Sequence, residues 1–399
     1  MGSLLSIAFG PVLWLMVGQT ILTLSHPANA ASVAPSYGLT DLGDLGATAG
    51  GPFFPRYISQ GNQVVGVGPT GVPDEYAAYS SVGGAPMQRL DGLLANGAAF
   101  AVNSAGVIVG QSESGGTTIA TRWDGGIASA IPGLSGPNNS AGAINDAGQI
   151  AGWMDAPTGG AVAYRITNGV LEPFGNLGGR VSDINGMNAA GRFVGNSETA
   201  AGGFTSFRAF VSDETSLSLI DLGLLEPGHT ASLAFGINDL GTVIGTSNLF
   251  IPSPFTFTAQ GFIWQNGVMT EIERPIGYDI LSPSGINNEN VVVGRIVESA
   301  FGGRSEAWIY DGTLQLLTPR LDAAHLGWQI TNAWEINDAG FIAAEAIDPG
   351  GVTRNVLLTP IPEPGTALLM GLGIAGLSAA GRRIRDPRGR HGERRRAKE

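Results

Sequence analysis

The 399-residue chain contains no cysteine, and only 14% of its residues are charged. Without cysteine, neither disulfides nor thiolate metal sites can form. The small charged fraction argues against long, solvent-exposed helices. The four histidines show no metal-ligand or catalytic-triad spacing; they are His26, His229, His325 and His391. We therefore expect no cofactor, no metal site and no histidine-based catalysis.

Basic residues are scarce outside residues 381–399. That segment carries eight Arg and one Lys against three acidic residues, whereas residues 1–380 carry 12 basic against 30 acidic residues, a net charge of −18. Nucleic-acid binding rests on cationic side chains that contact phosphates. The acidic body is therefore not expected to bind nucleic acid.

Glycine and proline are abundant, with 62 and 23 residues, and 43% of the chain is apolar, so we expect many turns around a large core. One phrase, AINDAGQIAG at residues 143–152, recurs in degraded form seven times. Its opening positions are Ser59, Asn103, Asn145, Asn188, Asn238, Asn287 and Asn337, and three residues later stand Asn62, Gly106, Gly148, Gly191, Gly241, Asn290 and Gly340.

Each phrase predicts a β-hairpin. A type I turn favours Asn, Asp or Ser at its first position because the short side chain caps the turn, and its last position must adopt positive φ, which suits Gly and Asn. A second small residue follows four positions later: Gly66, Gly110, Gly152, Gly195, Gly245, Gly294 and Ala344. Glycine inside a strand usually marks the close approach of another backbone.

The repeat length predicts the architecture. The turn-opening positions lie 42 to 50 residues apart, which suits four short strands and their turns. The seventh unit lacks a fourth strand after residues 355–359, while YGLTDLGDLG at 37–46 resembles a fourth strand and precedes the first turn. We therefore predict an all-β fold over residues 31–360, a seven-bladed β-propeller of four-stranded blades closed by an N-terminal strand. An open β-solenoid is the alternative and would need no borrowed strand.

Both ends of the chain predict export. Residues 4–24 are largely apolar, although no Lys or Arg precedes them, and Ala28 and Ala30 form an A-x-A site. We therefore predict a signal peptide at 1–30, with translocation by the Sec translocon and cleavage by signal peptidase after Ala30.

The C-terminal segment, residues 361–399, has three parts. Residues 361–365 contain Pro362, Glu363 and Pro364. The rings of the two prolines keep the segment extended and accessible to an enzyme. Residues 366–381 are uncharged and apolar up to the tail and predict a transmembrane helix rich in small residues. The basic tail at 382–399 begins with Arg382, Arg383 and Arg385, which would stop transfer and stay cytoplasmic.

Two resemblances follow from these motifs. The Ile-Asn-Asp-Ala-Gly turn, the Ala-aromatic third strand and the Asp-Leu-Gly fourth strand resemble the extracellular HAF-repeat family, although Val162, Arg208 and Glu306 stand where that family's His would be. The tail resembles the PEP-CTERM sorting signal, also known as the ice-binding protein C-terminal domain. That resemblance implies recognition of Pro362, Glu363 and Pro364 by an exosortase-type transpeptidase. It also implies an inner-membrane-anchored precursor that ends at the cell surface or in the extracellular matrix of a Gram-negative bacterium.

These features favour a non-enzymatic cell-surface or exopolysaccharide-matrix protein whose propeller is a binding or structural module. Its partner would be a polysaccharide or another surface protein. The alternative is a glycan-active hydrolase with a sialidase-like propeller and carboxylates in its funnel. The acidic candidates for that chemistry are Asp74, Glu75, Glu271, Glu273 and Asp279. Solvation of an acidic surface explains them more simply.

Overall fold

A computed structural model of the chain describes residues 35–43, 54–72, 74–201, 206–252, 255–300 and 302–362. These residues form 28 β-strands and two short 3-10 helices, at Thr318–Arg320 and Ala323–His325. The predicted all-β class is confirmed. The strands of the N-terminal half are β1 (Ser36–Asp41), β2 (Phe54–Ile58), β3 (Gln63–Pro69), β4 (Tyr76–Val82), β5 (Gln88–Leu90), β6 (Asn96–Val102), β7 (Ile108–Ser114), β8 (Thr117–Asp124), β9 (Ile127–Ala130), β10 (Asn139–Ile144), β11 (Ile150–Asp155), β12 (Ala161–Thr167) and β13 (Val170–Gly175). Those of the C-terminal half are β14 (Gly178–Met187), β15 (Phe193–Thr199), β16 (Phe207–Asp213), β17 (Ser218–Asp221), β18 (Ala231–Ile237), β19 (Val243–Pro252), β20 (Phe255–Gln265), β21 (Val268–Glu271), β22 (Ile280–Ile286), β23 (Val292–Val297), β24 (Ser305–Tyr310), β25 (Leu314–Leu316), β26 (Gln329–Ile336), β27 (Ile342–Ile347) and β28 (Thr353–Ile361).

The strands pair with their chain neighbours in four-stranded antiparallel sheets. Five sheets have four strands each: β2 to β5, β6 to β9, β10 to β13, β14 to β17, and β26 to β28 with β1. A sixth sheet has eight strands, in which β18 to β21 and β22 to β25 are joined by one parallel pair, Ala259 with Ile280. The repeat of four short strands predicted from the sequence therefore matches the observed pairing.

The closing strand comes from the N-terminal end of the body. Strand β1 pairs antiparallel with β28, in a register that runs from Ser36 opposite Ile361 to Asp41 opposite Val356. The predicted borrowed strand is thus confirmed for residues 36–41, and residues 44–46 lie outside the described residues. Pairing with β1 protects the edge of β28, which would otherwise expose unpaired backbone groups.

Neighbouring sheets pack through apolar clusters of small and branched side chains. In one cluster, Val194 and Val211 of β15 and β16 pack with Ile237 and Phe262 of the following sheet. Another cluster contains Leu357 of β28 together with residues of the first four-stranded sheet: Ile58, Val64, Ala77 and Tyr79. The last sheet is therefore packed against the first, which an open solenoid does not predict.

The first strand of every repeat contains a β-bulge at the same place. The register shifts lie between Pro55 and Tyr57, Ala99 and Ala101, Ala141 and Ala143, Ile184 and Gly186, Ala234 and Gly236, Pro283 and Gly285, and Ala333 and Glu335. A classic bulge bends its strand and re-aims one side chain. Each shift skips one residue, which we call the bulge residue: Arg56, Phe100, Gly142, Asn185, Phe235, Ser284 or Trp334.

The bulge also explains the recurrent glycine of the second strand. A Cβ atom on Gly110 would lie 1.9 Å from the carbonyl oxygen of Ala98, and one on Gly152 would lie 1.9 Å from that of Ser140. The predicted close approach of another backbone is therefore observed. Where Ala344 replaces glycine, β26 carries an additional register shift just before the bulge, which changes the backbone path opposite that residue.

Within the described residues, no helix has the length and apolar character needed to cross a membrane. The predicted signal peptide with Ala28 and Ala30 lies outside those residues, as does the predicted transmembrane helix at 366–381 with Arg382, Arg383 and Arg385.

Candidate functional site

The turn asparagines cap their own hairpins, as their position in the phrase predicts. The Oδ1 atom of Asn145 accepts a hydrogen bond from the backbone N–H of Gln149 at 3.0 Å, and Asn103, Asn188 and Asn337 make the same bond to the residue four positions on. The residues in the fourth turn position have positive φ throughout: Asn62, Gly106, Gly148, Gly191, Gly241, Asn290 and Gly340. Each turn therefore has the left-handed residue that its sequence requires.

The other end of each asparagine amide links one turn to the next. The Nδ2 atom of Asn188 donates to the carbonyl oxygen of Asn238 at 3.1 Å, and that of Asn238 donates to Asn287 at 2.9 Å. Asn103, Asn145 and Asn287 donate in the same way to Asn145, Asn188 and Asn337. Asn337 then donates to Ser59, which returns the series to the first turn. An ionised Asp could cap a turn but has no hydrogen to donate, whereas the Asn amide caps its turn through the oxygen and donates through the nitrogen at the same time.

A second set of hydrogen bonds joins the residues that follow these asparagines. The backbone N–H groups of Ser104 and Ala189 donate to the carboxylates of Asp146 and Asp239, each at 2.7 Å. The N–H of Asn288 donates to Asp338 at 2.8 Å. The turn aspartates therefore contact neighbouring turns and have a structural role in joining them. No group of three or more candidate metal ligands occurs among the described residues.

The seven first strands surround two connected cavities. The first, of about 220 Å³, lies at the turns, and we call it the turn-end cavity. Its lining includes Asp146, Asp239, Asp338 and five of the six turn asparagines: Asn103, Asn145, Asn188, Asn238 and Asn287. The second, of about 390 Å³, is lined by all seven bulge residues, and we call it the bulge-end cavity. Glu335 lines both. Glu335 is therefore the residue shared by the linings of the two cavities.

Most repeats have a small residue at the position equivalent to Glu335. The residue two positions before the turn is Ala101, Ala143, Gly186, Gly236 or Gly285 in five repeats, and it is Tyr57 or Glu335 in the other two. A Cβ atom on Gly285 would lie 2.4 Å from Oε1 of Glu335, so the glycine leaves room for that carboxyl group. Burial raises the pKa of Glu335 to about 8, although the Ile336 N–H donates to it.

The bulge-end cavity combines charged, aromatic and hydroxyl-bearing side chains. Burial among protein atoms raises the pKa of Asp183 and lowers that of Arg56, and each partly offsets the shift of the other through its charge. The Arg56 guanidinium lies 6.0 Å from the centre of the Trp334 ring, within cation–π range. Arg295 and Asn332 also line the cavity, and Arg295 forms no ion pair within the part of the chain described.

The residues that the sequence suggested for chemistry lie elsewhere. None of the acidic candidates, Asp74, Glu75, Glu271, Glu273 and Asp279, lines either cavity. Of the two described histidines, His229 contacts the Ser247 hydroxyl at 2.8 Å and His325 contacts Asp322 at 2.5 Å. The carboxyl groups that do line the bulge-end cavity, those of Asp183 and Glu335, were missed. Glu335 could have been identified from the sequence, because it is a large residue at a position where five repeats have Ala or Gly.

The last strand leads directly into the sorting segment. Strand β28 ends at Ile361, and Pro362 follows it as an exposed residue, while Glu363 and Pro364 lie outside the described residues. A family model described as the PEP-CTERM protein-sorting motif matches residues 360–384. The chain carries a PEP-CTERM motif. This motif points to an exported, surface-directed protein that is sorted by exosortase. The match covers the tail alone, and no curated protein matches the chain.

Solved structures that are similar to the chain have low sequence identity. TolB from Acinetobacter baumannii is 13% identical, with a TM-score of 0.42, and the alignment covers 74% of this chain and 63% of TolB. The β-propeller domain of the Trilobed protease from Pyrococcus furiosus is 12% identical, with a TM-score of 0.42, over 64% of this chain and 79% of the domain. A prolyl endopeptidase is 8% identical, with a TM-score of 0.48, over 82% of this chain and 51% of the enzyme. The chain thus spans less than two thirds of TolB and about half of the endopeptidase.

Proposed function

We propose that the protein is an exported, non-enzymatic component of the cell surface or extracellular matrix. Residues 31–360 form a seven-bladed β-propeller that acts as a binding module. Counting the eight-stranded sheet as two blades is supported by the single parallel pair, Ala259 with Ile280, that joins its halves. The bonds between successive turns and the pairing of β1 with β28 support ring closure.

The binding role rests on one observation, the unequal chemistry of the two cavities. At the turn end, six of the seven opening positions are asparagine, and each makes the same structural hydrogen bonds. At the bulge end, the seven equivalent positions hold Arg, Phe, Gly, Asn, Phe, Ser and Trp. Equivalent positions with a common structural role keep one residue type, whereas an asymmetric ligand requires different groups around it. The bulge-end cavity is therefore the proposed ligand site.

The two ends of the chain direct the export and the sorting of this module. Residues 1–30 are the proposed signal peptide, used by the Sec translocon and signal peptidase. Residues 361–365, 366–381 and 382–399 are the proposed recognition motif, transmembrane helix and cytoplasmic basic tail. Membership of the repeats in the HAF family belongs to the same proposal.

Binding is tested by applying the purified full chain to an array of bacterial polysaccharide fragments and to a panel of exported proteins. We expect binding that is lost in Trp334→Ala and kept in Trp328→Ala, which alters an aromatic residue outside the cavity. We also expect no release of reducing sugar. Unchanged binding by the Trp334→Ala variant would mean that the ligand binds outside this cavity and would contradict the proposal.

Sorting is tested in cells with Glu363→Ala and, as a control, Glu399→Ala at the chain end. We expect Glu363→Ala to leave unprocessed chain in the inner membrane and Glu399→Ala to be processed normally. Normal processing of Glu363→Ala would contradict the role of the motif.

A second candidate, a glycan-active hydrolase, is favoured by one specific observation. Asp183 and Glu335 line the same cavity, and burial raises the pKa of both. With a pKa of about 8, Glu335 keeps its proton at neutral pH, which suits it to general acid catalysis. If the array ligand were hydrolysed, and Glu335→Gln or Asp183→Asn abolished hydrolysis but not binding, this function would replace the first.

A further inference from the structure

We infer that the bulge-end cavity binds an acidic sugar, a uronate residue of a polysaccharide, through Arg56 and Arg295. This inference rests on the proposed binding role of the cavity and names its ligand class. Four features of the cavity support it: cations without an ion pair, carboxyl groups whose pKa is raised by burial, an aromatic surface, and buried polar atoms without partners in the described part of the chain.

The two arginines of the bulge-end cavity are unusual in so acidic a chain. Residues 1–380 carry a net charge of −18, yet two of their 12 arginines line one cavity. Neither Arg56 nor Arg295 forms an ion pair among the residues described, whereas Arg165 is paired with both Glu172 and Glu214. Burial disfavours the charged form of Arg56, and a bound carboxylate would restore the lost stabilisation. The planar guanidinium matches the geometry of a carboxylate.

The acids in the cavity do not neutralise these cations fully. Both Asp183 and Glu335 are surrounded by protein atoms that favour their neutral forms. A protonated carboxyl group donates one hydrogen bond and accepts others, so it suits a sugar hydroxyl. With a pKa of about 8, Glu335 keeps its proton at pH 7, so the two arginines outnumber the charged carboxylates of the cavity even when Asp183 is ionised.

Aromatic residues provide the surface on which a sugar ring packs. The bulge positions place Phe100, Phe235 and Trp334 around the cavity. Trp334 is held on one side by an edge contact with Phe54, with ring centres 6.0 Å apart, and Arg56 lies over its ring. This packing fixes the indole and the guanidinium together before any ligand arrives, which lowers the entropy cost of binding.

Two buried polar atoms of residues that line this cavity lack partners. The Oδ1 atom of Asn332 has no hydrogen-bond partner among the described residues, and Asn332 is only 4% exposed. The indole N–H of Trp334 is also buried without an acceptor in that part of the chain. An unsatisfied buried group costs about 1–3 kcal/mol. A hydroxyl-rich ligand supplies both a donor for the Asn332 oxygen and an acceptor for the Trp334 N–H.

The test uses the purified full chain and two matched probes, trigalacturonate and its methyl ester, measured by calorimetry. We expect the acid to bind at least about tenfold more tightly than the ester, since one charge-assisted hydrogen bond is worth about 1.5–3 kcal/mol. Arg56→Gln and Arg295→Gln should each weaken binding of the acid by about 10- to 100-fold on the same basis and leave binding of the ester nearly unchanged. Arg89→Gln, which changes an exposed arginine outside the cavity, should have no effect.

The outcomes separate the inference from the proposed function. Equal affinity for acid and ester, with both lost in Trp334→Ala, would overturn the acidic ligand but keep the binding module. Inorganic phosphate that competes as well as trigalacturonate would show a general anion site and overturn the sugar. If neither sugar binds, and if the ligand found on the array binds Trp334→Ala as tightly as the unmodified protein, both the inference and the proposed function fail. Arg295 lies on the second strand and is exposed, so its variant keeps the test valid even if Arg56→Gln fails to fold.

Discussion

The side-chain amide of Asn337 donates a hydrogen bond to the main-chain carbonyl of Ser59, which lies 278 residues earlier in the chain, at 3.1 Å. The same bond joins each earlier asparagine to the next turn, so one side-chain type both closes its own hairpin and connects it to its neighbour. The seven turns are therefore linked through side chains around the turn-end cavity as well as through packing between sheets.

Replacing one of these amides by a carboxylate should separate the two roles. In Asn188→Asp the side chain still caps the N–H of Arg192, but it loses the bond to Asn238 and places a negative charge near that carbonyl. Asn188 is 4% exposed, so we expect the free energy of unfolding at pH 7 to fall by about 1–3 kcal/mol. Chemical denaturation measures this change.

Asn266→Asp is the matched control, because Asn266 is an exposed turn residue with positive φ. We expect it to change stability by less than about 0.5 kcal/mol. A similar loss in both variants would mean that the link between turns contributes nothing.

The series of amides has one gap, at Ser59. Its hydroxyl caps the N–H of Gln63 at 3.1 Å but has no amide to donate toward the turn of Asn103. Ser59→Asn should supply the missing donor and raise the free energy of unfolding by about 0.5–1.5 kcal/mol. Ser104→Asn, at the next position of the following turn, is the control and should bring no gain. A loss of stability in Ser59→Asn would show that this turn differs in shape from the other six.

The second-strand glycine that lies opposite each bulge should not tolerate the addition of one methyl group. In Gly110→Ala the new Cβ would overlap the carbonyl of Ala98, so we expect a loss of more than about 3 kcal/mol or a failure to fold. In the sheet that already has alanine there, Ala344→Gly should cost only about 0.5–1 kcal/mol, the usual effect of glycine in a strand. Thermal melts of both variants check the pair. Equal effects at the two positions would contradict the steric explanation.

Glu335 should make stability depend on pH. Its folded-state pKa of about 8 lies above the ordinary value of 4.5, so the folded protein binds the proton more tightly than the unfolded chain does. The group therefore adds no penalty below pH 4.5, and the folded state loses stability as pH rises from about 4.5 through 8.

Glu335→Gln removes this dependence and should stabilise the protein at pH 8.5. Because Glu335 is only partly buried, solvent screens its charge, and we expect a gain on the order of 1–2 kcal/mol, with little change at pH 4.5. Denaturation at a series of pH values measures the slope, and Glu289→Gln, at an exposed turn position, is the control. If both variants keep the slope of the unmodified protein, Glu335 is ionised at neutral pH.

The hairpins, the four-strand repeat and the borrowed strand β1 could be predicted from the sequence, because turn chemistry is local and the pattern recurs. The second role of the asparagines could not. A capping Asn and an Asn that also donates to a neighbouring turn look identical in one repeat. Only the preference for Asn over Asp at six of the seven opening positions distinguishes them.

The candidate site was harder to predict because the bulge changes which side chains face the cavity. Simple alternation along β2 or β26 does not place both residues 56 and 57, or both 334 and 335, at the centre. The acidic candidates Asp74 and Glu271 lie in a loop and in the fourth strand β21, away from the first strands that line the cavity. Seven residues of the candidate site, the bulge residues, instead occupy a single aligned position, and comparing that position across the repeats reveals them.

Ring closure by the N-terminal strand is tested most directly by a disulfide between β1 and β28. Ser36 and Ile361 are opposite one another and exposed, and the chain has no cysteine of its own. Directly paired antiparallel residues have Cα atoms about 4.5–5.5 Å apart, which a disulfide spans. In the purified Ser36→Cys, Ile361→Cys double variant we expect mass spectrometry to find one intramolecular disulfide after mild oxidation, and thermal denaturation to show a higher melting temperature than after reduction. Two free thiols, or only intermolecular disulfides, in a chain that remains folded would show that the strands are not paired and that the ring is open.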